Sequence, residues 1–255
     1  MKLLVSLLFL ISCSHLKSQG SPKEGRQVLS YHDVSGNYRL NRDHKVIKKN
    51  LVTRTQILAS EGNGNKLLEK TIAVSQLGSV KGKKSRVLVV RPKASEFSVW
   101  LEGKKYFSKQ SINPTKKTMT IVFDSPDQGK NREEVPFPKG KFFCFYTQLQ
   151  DCLYHNQLLG LSADAKNQRF PLFIVWESYP FTQEQFSGVG KTLFSSASLK
   201  FDGEVKNLYR YIIEVEGQII MYEFTKSFDF VKMAWVSQGI TVVPPDQDVS
   251  TDIEE

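Results

Sequence analysis

From Val28 onward, apolar side chains recur at every second position rather than every third or fourth. That is the period of a strand with one buried face. In TMTIVFD (118–124), Met119, Ile121 and Phe123 share one face and Thr118, Thr120 and Val122 the other. YRYIIEVEGQIIMYEF (209–224) aligns Tyr209, Tyr211, Ile213 and Val215, turns at Glu216-Gly217-Gln218 and resumes the alternation. A glycine-bearing turn between two such runs reads as a hairpin. WLEGKKYF (100–107) repeats that form, and FVKMAWVS (230–237) sets Val231, Met233 and Trp235 opposite Lys232 and Ala234. Further strands are expected over 50–59, 67–76, 87–91, 141–146, 170–176 and 193–201.

Strands joined by short turns pair antiparallel. About ten to thirteen of them with little helix predict a mainly β chain: a large antiparallel curved sheet, open barrel or sandwich. At 255 residues and 40% hydrophobic, the chain can build such a core. No repeat of fixed period is present. One stretch departs from the pattern. TQLQDCLYHNQLL (147–159) has Leu149, Leu153 and Asn156 at helical spacing, which predicts a short helix. The proline-rich EEVPFPKGK (133–141) just before it reads as a seam between halves of the domain.

The chain opens LLVSLLFLISC (3–13). The nine residues 3–11, apolar apart from Ser6, are far short of the about 20 needed to span a bilayer. They suit the apolar region of a secretion signal, with Lys2 at its positive end. Leu10-Ile11-Ser12-Cys13 resembles the lipobox of bacterial lipoproteins: an aliphatic residue, a tolerated one, a small one, then cysteine. The resemblance covers only these first 13 residues. It implies a signal peptide over 1–12, cleavage before Cys13 and acylation of its thiol and new amino group. Two or three acyl chains, at about 0.8 kcal/mol per buried methylene, hold a protein on a membrane. Ser14 stands where an aspartate retains lipoproteins in the inner membrane of enteric bacteria, so the analogy implies the outer membrane, facing the periplasm. Residues 13–27 then form a lipidated cysteine and polar tether, 28–245 the β domain, and 246–255 an acidic disordered tail. In architecture the domain is loosely similar to the half-barrel lipid and lipoprotein carriers of Gram-negative envelopes.

With Cys13 assigned to the lipid, Cys144 and Cys152 remain, an even pair in an oxidising compartment. A disulfide, two free thiols, and a metal site completed by His155 are the three readings. A structural zinc site needs four ligands and no fourth His or Cys lies near, so the disulfide is favoured and no metal or cofactor is expected.

The formal charge is +9. The last ten residues hold five acids and no base, leaving about +14 on the first 245. Such a balance would suggest nucleic acid in a cytosolic protein. Behind a lipobox that partner is excluded, and anionic lipid headgroups or cell-wall polymers take its place. The bases cluster near turn residues at 45–49, 81–86, 103–105 and 115–117. Solvated hairpin tips that discourage edge pairing are the plainer account.

Motifs for chemistry fall short. SGVGKT (187–192) has Gln185 where a phosphate loop needs its first glycine. GLSAD (160–164) ends on Asp164 where a nucleophile elbow needs glycine. Ser14-His15-Leu16-Lys17 is an S-x-x-K match stranded in the tether. The adjacent pairs His32-Asp33 and Asp43-His44 point to opposite faces of a strand. The chain therefore reads as non-enzymatic. Trp100, Trp176, Tyr209, Tyr211, Met221 and Trp235 are the candidates to line a concave face for a lipid or other apolar ligand. A structural lipoprotein docking a protein or the cell wall is the alternative, and a hydrolase assembled from distant strands is the third.

Overall fold

A computed structural model describes residues 24–61, 64–81, 86–140, 142–165 and 167–245. The apolar start, the lipobox with Cys13, the S-x-x-K match, most of the tether and the acidic tail lie outside the described residues. So do residues 82–85 of the second basic cluster.

The strands are β1 Gly25–Asp33, β2 Gly36–Ile47, β3 Asn50–Glu61, β4 Gly64–Lys81, β5 Arg86–Leu101, β6 Lys104–Asn113, β7 Thr118–Ser125 and β8 Gly129–Pro136. There follow β9 Phe143–Phe145, β10 Arg169–Val175, β11 Phe194–Val205, β12 Leu208–Val215, β13 Gln218–Phe224, β14 Phe230–Trp235 and β15 Ile240–Val243. All fifteen join one curved sheet that does not close into a barrel. Its order is β8-β7-β6-β5-β4-β3-β2-β1-β15-β14-β13-β12-β11-β10-β9, antiparallel throughout except for β9 against β10. The mainly β architecture read from the alternation is what the chain adopts.

The strands form where the period-two pattern lies. Met119, Ile121 and Phe123 are all buried on β7. Tyr211, Ile213 and Val215 are buried on β12. The β12–β13 turn has positive φ at Glu216 and Gly217, and Val215 pairs Gln218. Two left-handed residues make a turn whose twist matches that of the strands it joins. Lys48-Lys49, Glu102-Gly103 and Lys206-Asn207 repeat that geometry, so the basic clusters at 45–49 and 103–105 sit at hairpin tips.

The topology turns on one crossing. β1 to β8 run as a meander to one edge of the sheet; the chain then crosses to the opposite edge and returns as β9 to β15, which pairs with β1. The crossing leads from Phe137 to Phe142 and starts within the proline-rich run, whose first four residues, 133–136, belong to β8 and so are strand, not seam. The Phe137 N–H donates to the Lys117 carbonyl at one end, and the Phe142 carbonyl accepts from the Phe173 N–H at the other. Gly140 lies against Phe173, where a Cβ would come within 2.6 Å of the ring.

The sheet is rolled like a scroll, with the β9–β10 edge inside. Phe145 and Val175 pack into one apolar cluster with Met119, Ile121 and Phe123 of β7. Cys144, Leu172 and Ile174, on the other face of the same two strands, pack into a second with β11 to β15. Burial on both faces explains why PLFIVW (171–176) runs apolar without alternating. The interior is filled by the segment after β9. The expected helix over 147–159 is two: α1 Leu149–His155 and α2 Leu158–Asp164, broken at Gln157 with φ +60°. A 3₁₀ turn, Tyr146–Gln148, precedes them, and α3 Thr182–Gln185 follows β10.

Candidate functional site at the open seam

Disulfide Cys144–Cys152 ties α1 to β9. Both thiols are consumed, which removes the zinc reading with His155. Among the described residues no group of three or more His, Cys, Asp or Glu is placed to hold a metal ion.

The six aromatic and methionine candidates do not share one concave face. Trp176 and Trp235 are fully buried with centroids 6.2 Å apart, and Tyr146 and Phe186 pack against both. Tyr211 is buried and donates to the Leu159 carbonyl at 3.1 Å. These three are packing partners. Tyr209 sits at the rim beside Phe201 and Phe228, under the Lys226 ammonium 4.5 Å from its ring. Trp100 and Met221 alternate with the buried Val99 and Ile220, which puts them on the outer face. Alternation assigned them to strands; only the curvature decided which face is concave.

Several polar side chains inside the roll bond to the segments that fill it, while Thr55 Oγ1, Ser95 Oγ and Gln110 Oε1 are buried without a hydrogen-bond partner. Gln148 donates to Thr53 Oγ1 at 2.9 Å and to the Ala73 carbonyl at 3.1 Å, and accepts from Ser75 Oγ. Gln110 donates to the Trp176 carbonyl at 2.7 Å and Ser108 to that of Tyr179 at 2.6 Å. The buried Glu177 carboxylate accepts from the backbone N–H groups of Tyr146 and Thr147, each at 3.1 Å, and from the Thr147 hydroxyl. Burial pushes its carboxyl up to about 7 against the pull of these donors. Glu69, which accepts from Gln185 at 2.7 Å, is raised to about 7 by the same cause.

One open groove lies at the seam. Where β5 passes the inner edge without pairing to it, a groove of about 540 Å³ runs between Val89–Pro92, Ile112 and the crossing segment. Phe137, Phe142 and Phe143 form its apolar wall, with exposed Arg91 at the lip. One side is held by Asn156, whose Oδ1 accepts from the Val90 N–H at 3.1 Å while its Nδ2 donates to the Val90 carbonyl at 3.2 Å. That amide, just past the end of α1, pins β5 to the filling segment at that one residue. The volume falls within the roughly 300–1,000 Å³ of small-ligand sites.

A second constellation escaped the sequence reading. His44 of β2 sets Nδ1 3.3 Å from Asp151 Oδ2 of α1, and His155, one turn further along α1, lines the same cleft. Helical spacing puts Asp151 and His155 on one face, which was visible in the sequence; that the face would meet His44 was not. The near-motifs are structural. Ser162 of GLSAD is buried within α2, and Gly188 and Gly190 of SGVGKT have positive φ in the loop after α3.

Comparison with known protein families, with curated proteins and with solved structures finds no match.

Proposed function

We propose that this chain is an envelope lipoprotein, anchored in the outer membrane through Cys13, that binds a lipid acyl chain without catalysing a reaction. The observation that carries the reading is the apolar seam groove of about 540 Å³. Three phenylalanines, two valines and an isoleucine offer a chain-shaped ligand contact along its length, and burial contributes about 25 cal/mol per Å² of apolar surface. Arg91 at the lip suits an anionic headgroup. The concave interior is packed by Trp176, Trp235 and their neighbours, so the ligand belongs at the seam and not within the roll. The lipobox supplies the compartment in which such lipids are abundant.

The test is native mass spectrometry of residues 19–255, exported behind a cleavable signal without a lipobox and recovered from a periplasm without detergent. The expected result is a reproducible added mass that extracts into organic solvent and is lost in Ile112→Lys, which puts a charge in the groove wall. A bare mass that stays bare after incubation with envelope lipids would overturn the reading. The solid core would then favour a lipoprotein that docks a protein partner or the cell wall.

A further inference from the structure

The cleft beside His44 is distinct from the seam, and its chemistry differs. It holds about 190 Å³, room for about six waters at about 30 Å³ each. Its walls come from the start of β1, from β2, from α1 and from the β13–β14 turn.

His44 is almost wholly buried, and its described polar contacts use only Nδ1: Asp151 Oδ2 at 3.3 Å and Thr53 Oγ1 at 3.2 Å. Burial holds the imidazole below its ordinary pKa despite the nearby Asp151 carboxylate. In the neutral ring the carboxylate takes the Nδ1 proton, and Nε2 is left as an acceptor. His155 is 2% exposed, and its Nδ1 is buried with no hydrogen-bond partner. An N–H there would forfeit a bond, while a bare nitrogen forfeits less, so the proton belongs on Nε2. In these tautomers His44 Nε2 is an acceptor and His155 Nε2 a donor, and both rings line the cleft.

The remaining lining repeats that mixture. Gln27 and Ser227 add an amide and a hydroxyl that each donate and accept, and Tyr154, Phe228 and Phe230 add ring surface. The two charged residues in the lining are the acids Asp151 and Asp229. Arg42 stands behind, bonded at 3.3 Å to Gln150 Oε1. In a chain of net charge +9, a cleft whose described walls hold Asp151 and no lysine or arginine disfavours phosphates and carboxylates.

We infer that this cleft is a binding site for one ring of a neutral saccharide. A pyranose has hydroxyls that both donate and accept, as this lining requires, and an apolar C–H face that lies against aromatic rings. It needs no cation, and its bulk suits a cavity of this size. The inference does not depend on the seam reading, since the two sites share no lining residue.

The test is saturation-transfer NMR on the full chain in a detergent without a sugar headgroup, with chitotetraose and maltotetraose as probes. Transfer from protein to the ring protons of at least one probe is expected, with a Kd of about millimolar or tighter. Asp151→Asn removes the charge at unchanged shape, and Gln27→Ala removes one exposed amide. Each should weaken binding about tenfold while near-UV circular dichroism stays unchanged. No transfer to either probe would overturn the inference. So would binding that both folded variants retain in full, because the sugar would then sit elsewhere. If Asp151→Asn unfolds the protein, Gln27→Ala alone decides.

Discussion

The filling of the scroll rests on a few buried polar residues, and their chemistry sets how stability responds to pH. Glu177 is raised from 4.5 to about 7 by burial. A carboxyl whose folded pKa lies above its unfolded value stabilises the fold below about 4.5 and loses that contribution as pH rises through about 7. At about 1.4 kcal/mol per pKa unit, the loss for Glu177 alone is about 3 kcal/mol. Glu69 acts in the same direction. Buried His44 and His155, both lowered, act in the opposite direction over the same range. The Glu177 contribution is therefore read by difference: Glu177→Gln should gain urea midpoint relative to the native protein on going from pH 5 to pH 8, and an equal pH response of the two proteins would contradict it. Gln148 gives a second prediction. Gln148→Ala leaves Ser75 and the Ala73 carbonyl without their buried partners and opens a small void, at a cost of about 3 kcal/mol. Equilibrium unfolding measures it directly. Neither residue stood out in the sequence, because a glutamine at the start of a predicted helix or a glutamate just past a strand reads as solvated until the fold encloses it.

At the scale of elements, α1 is fastened twice to strands on either side of it. The Cys144–Cys152 bridge closes a loop of about nine residues, worth roughly 2.5 kcal/mol in the chain-entropy picture. Reducing it should lower unfolding stability by about that amount and leave the sheet intact by far-UV circular dichroism. Asn156→Ala removes both bonds to Val90 at once. A loss of about 2–4 kcal/mol is expected, together with faster hydrogen exchange at Val90; an unchanged Val90 rate would show that the clamp does not hold the groove wall. The pairing of the cysteines was legible from their even number and close spacing. The split of the predicted helix was not, since nothing local in LYHNQLL (153–159) compels Gln157 into the left-handed region.

At the scale of the molecule, the roll makes the two sheet edges unequal. β8 is exposed along most of its length and carries Lys130, Arg132, Glu133 and Glu134, charges that discourage a further strand from adding. β9, three residues long, lies under β5 and needs no such guard. Native-state hydrogen exchange should rank β10 among the slowest strands, being covered on both faces, and β8 among the fastest. The reverse order would mean that the scroll opens from its inner edge in solution.

The sequence by itself determined most of the strands, several of the turns between them and the cysteine pair, but it placed neither β2, β8 nor β15, and the fifteen strands exceed the ten to thirteen expected. Each feature it did determine is a local matter: a period of two such as Met119, Ile121 and Phe123, a glycine such as Gly217 at positive φ, or a short loop. The proline-rich run also announced a seam, since prolines exclude it from a central strand. Only the tertiary structure decided that the seam begins past Pro136 and carries the chain from one sheet edge to the other. It also decided that Trp176 and Trp235 meet in the core while Trp100 and Met221 face outward, and that His44 finds Asp151. Strand order and curvature depend on contacts between residues far apart in the chain. The period-two pattern is the same whichever neighbour a strand takes and whichever of its faces becomes concave.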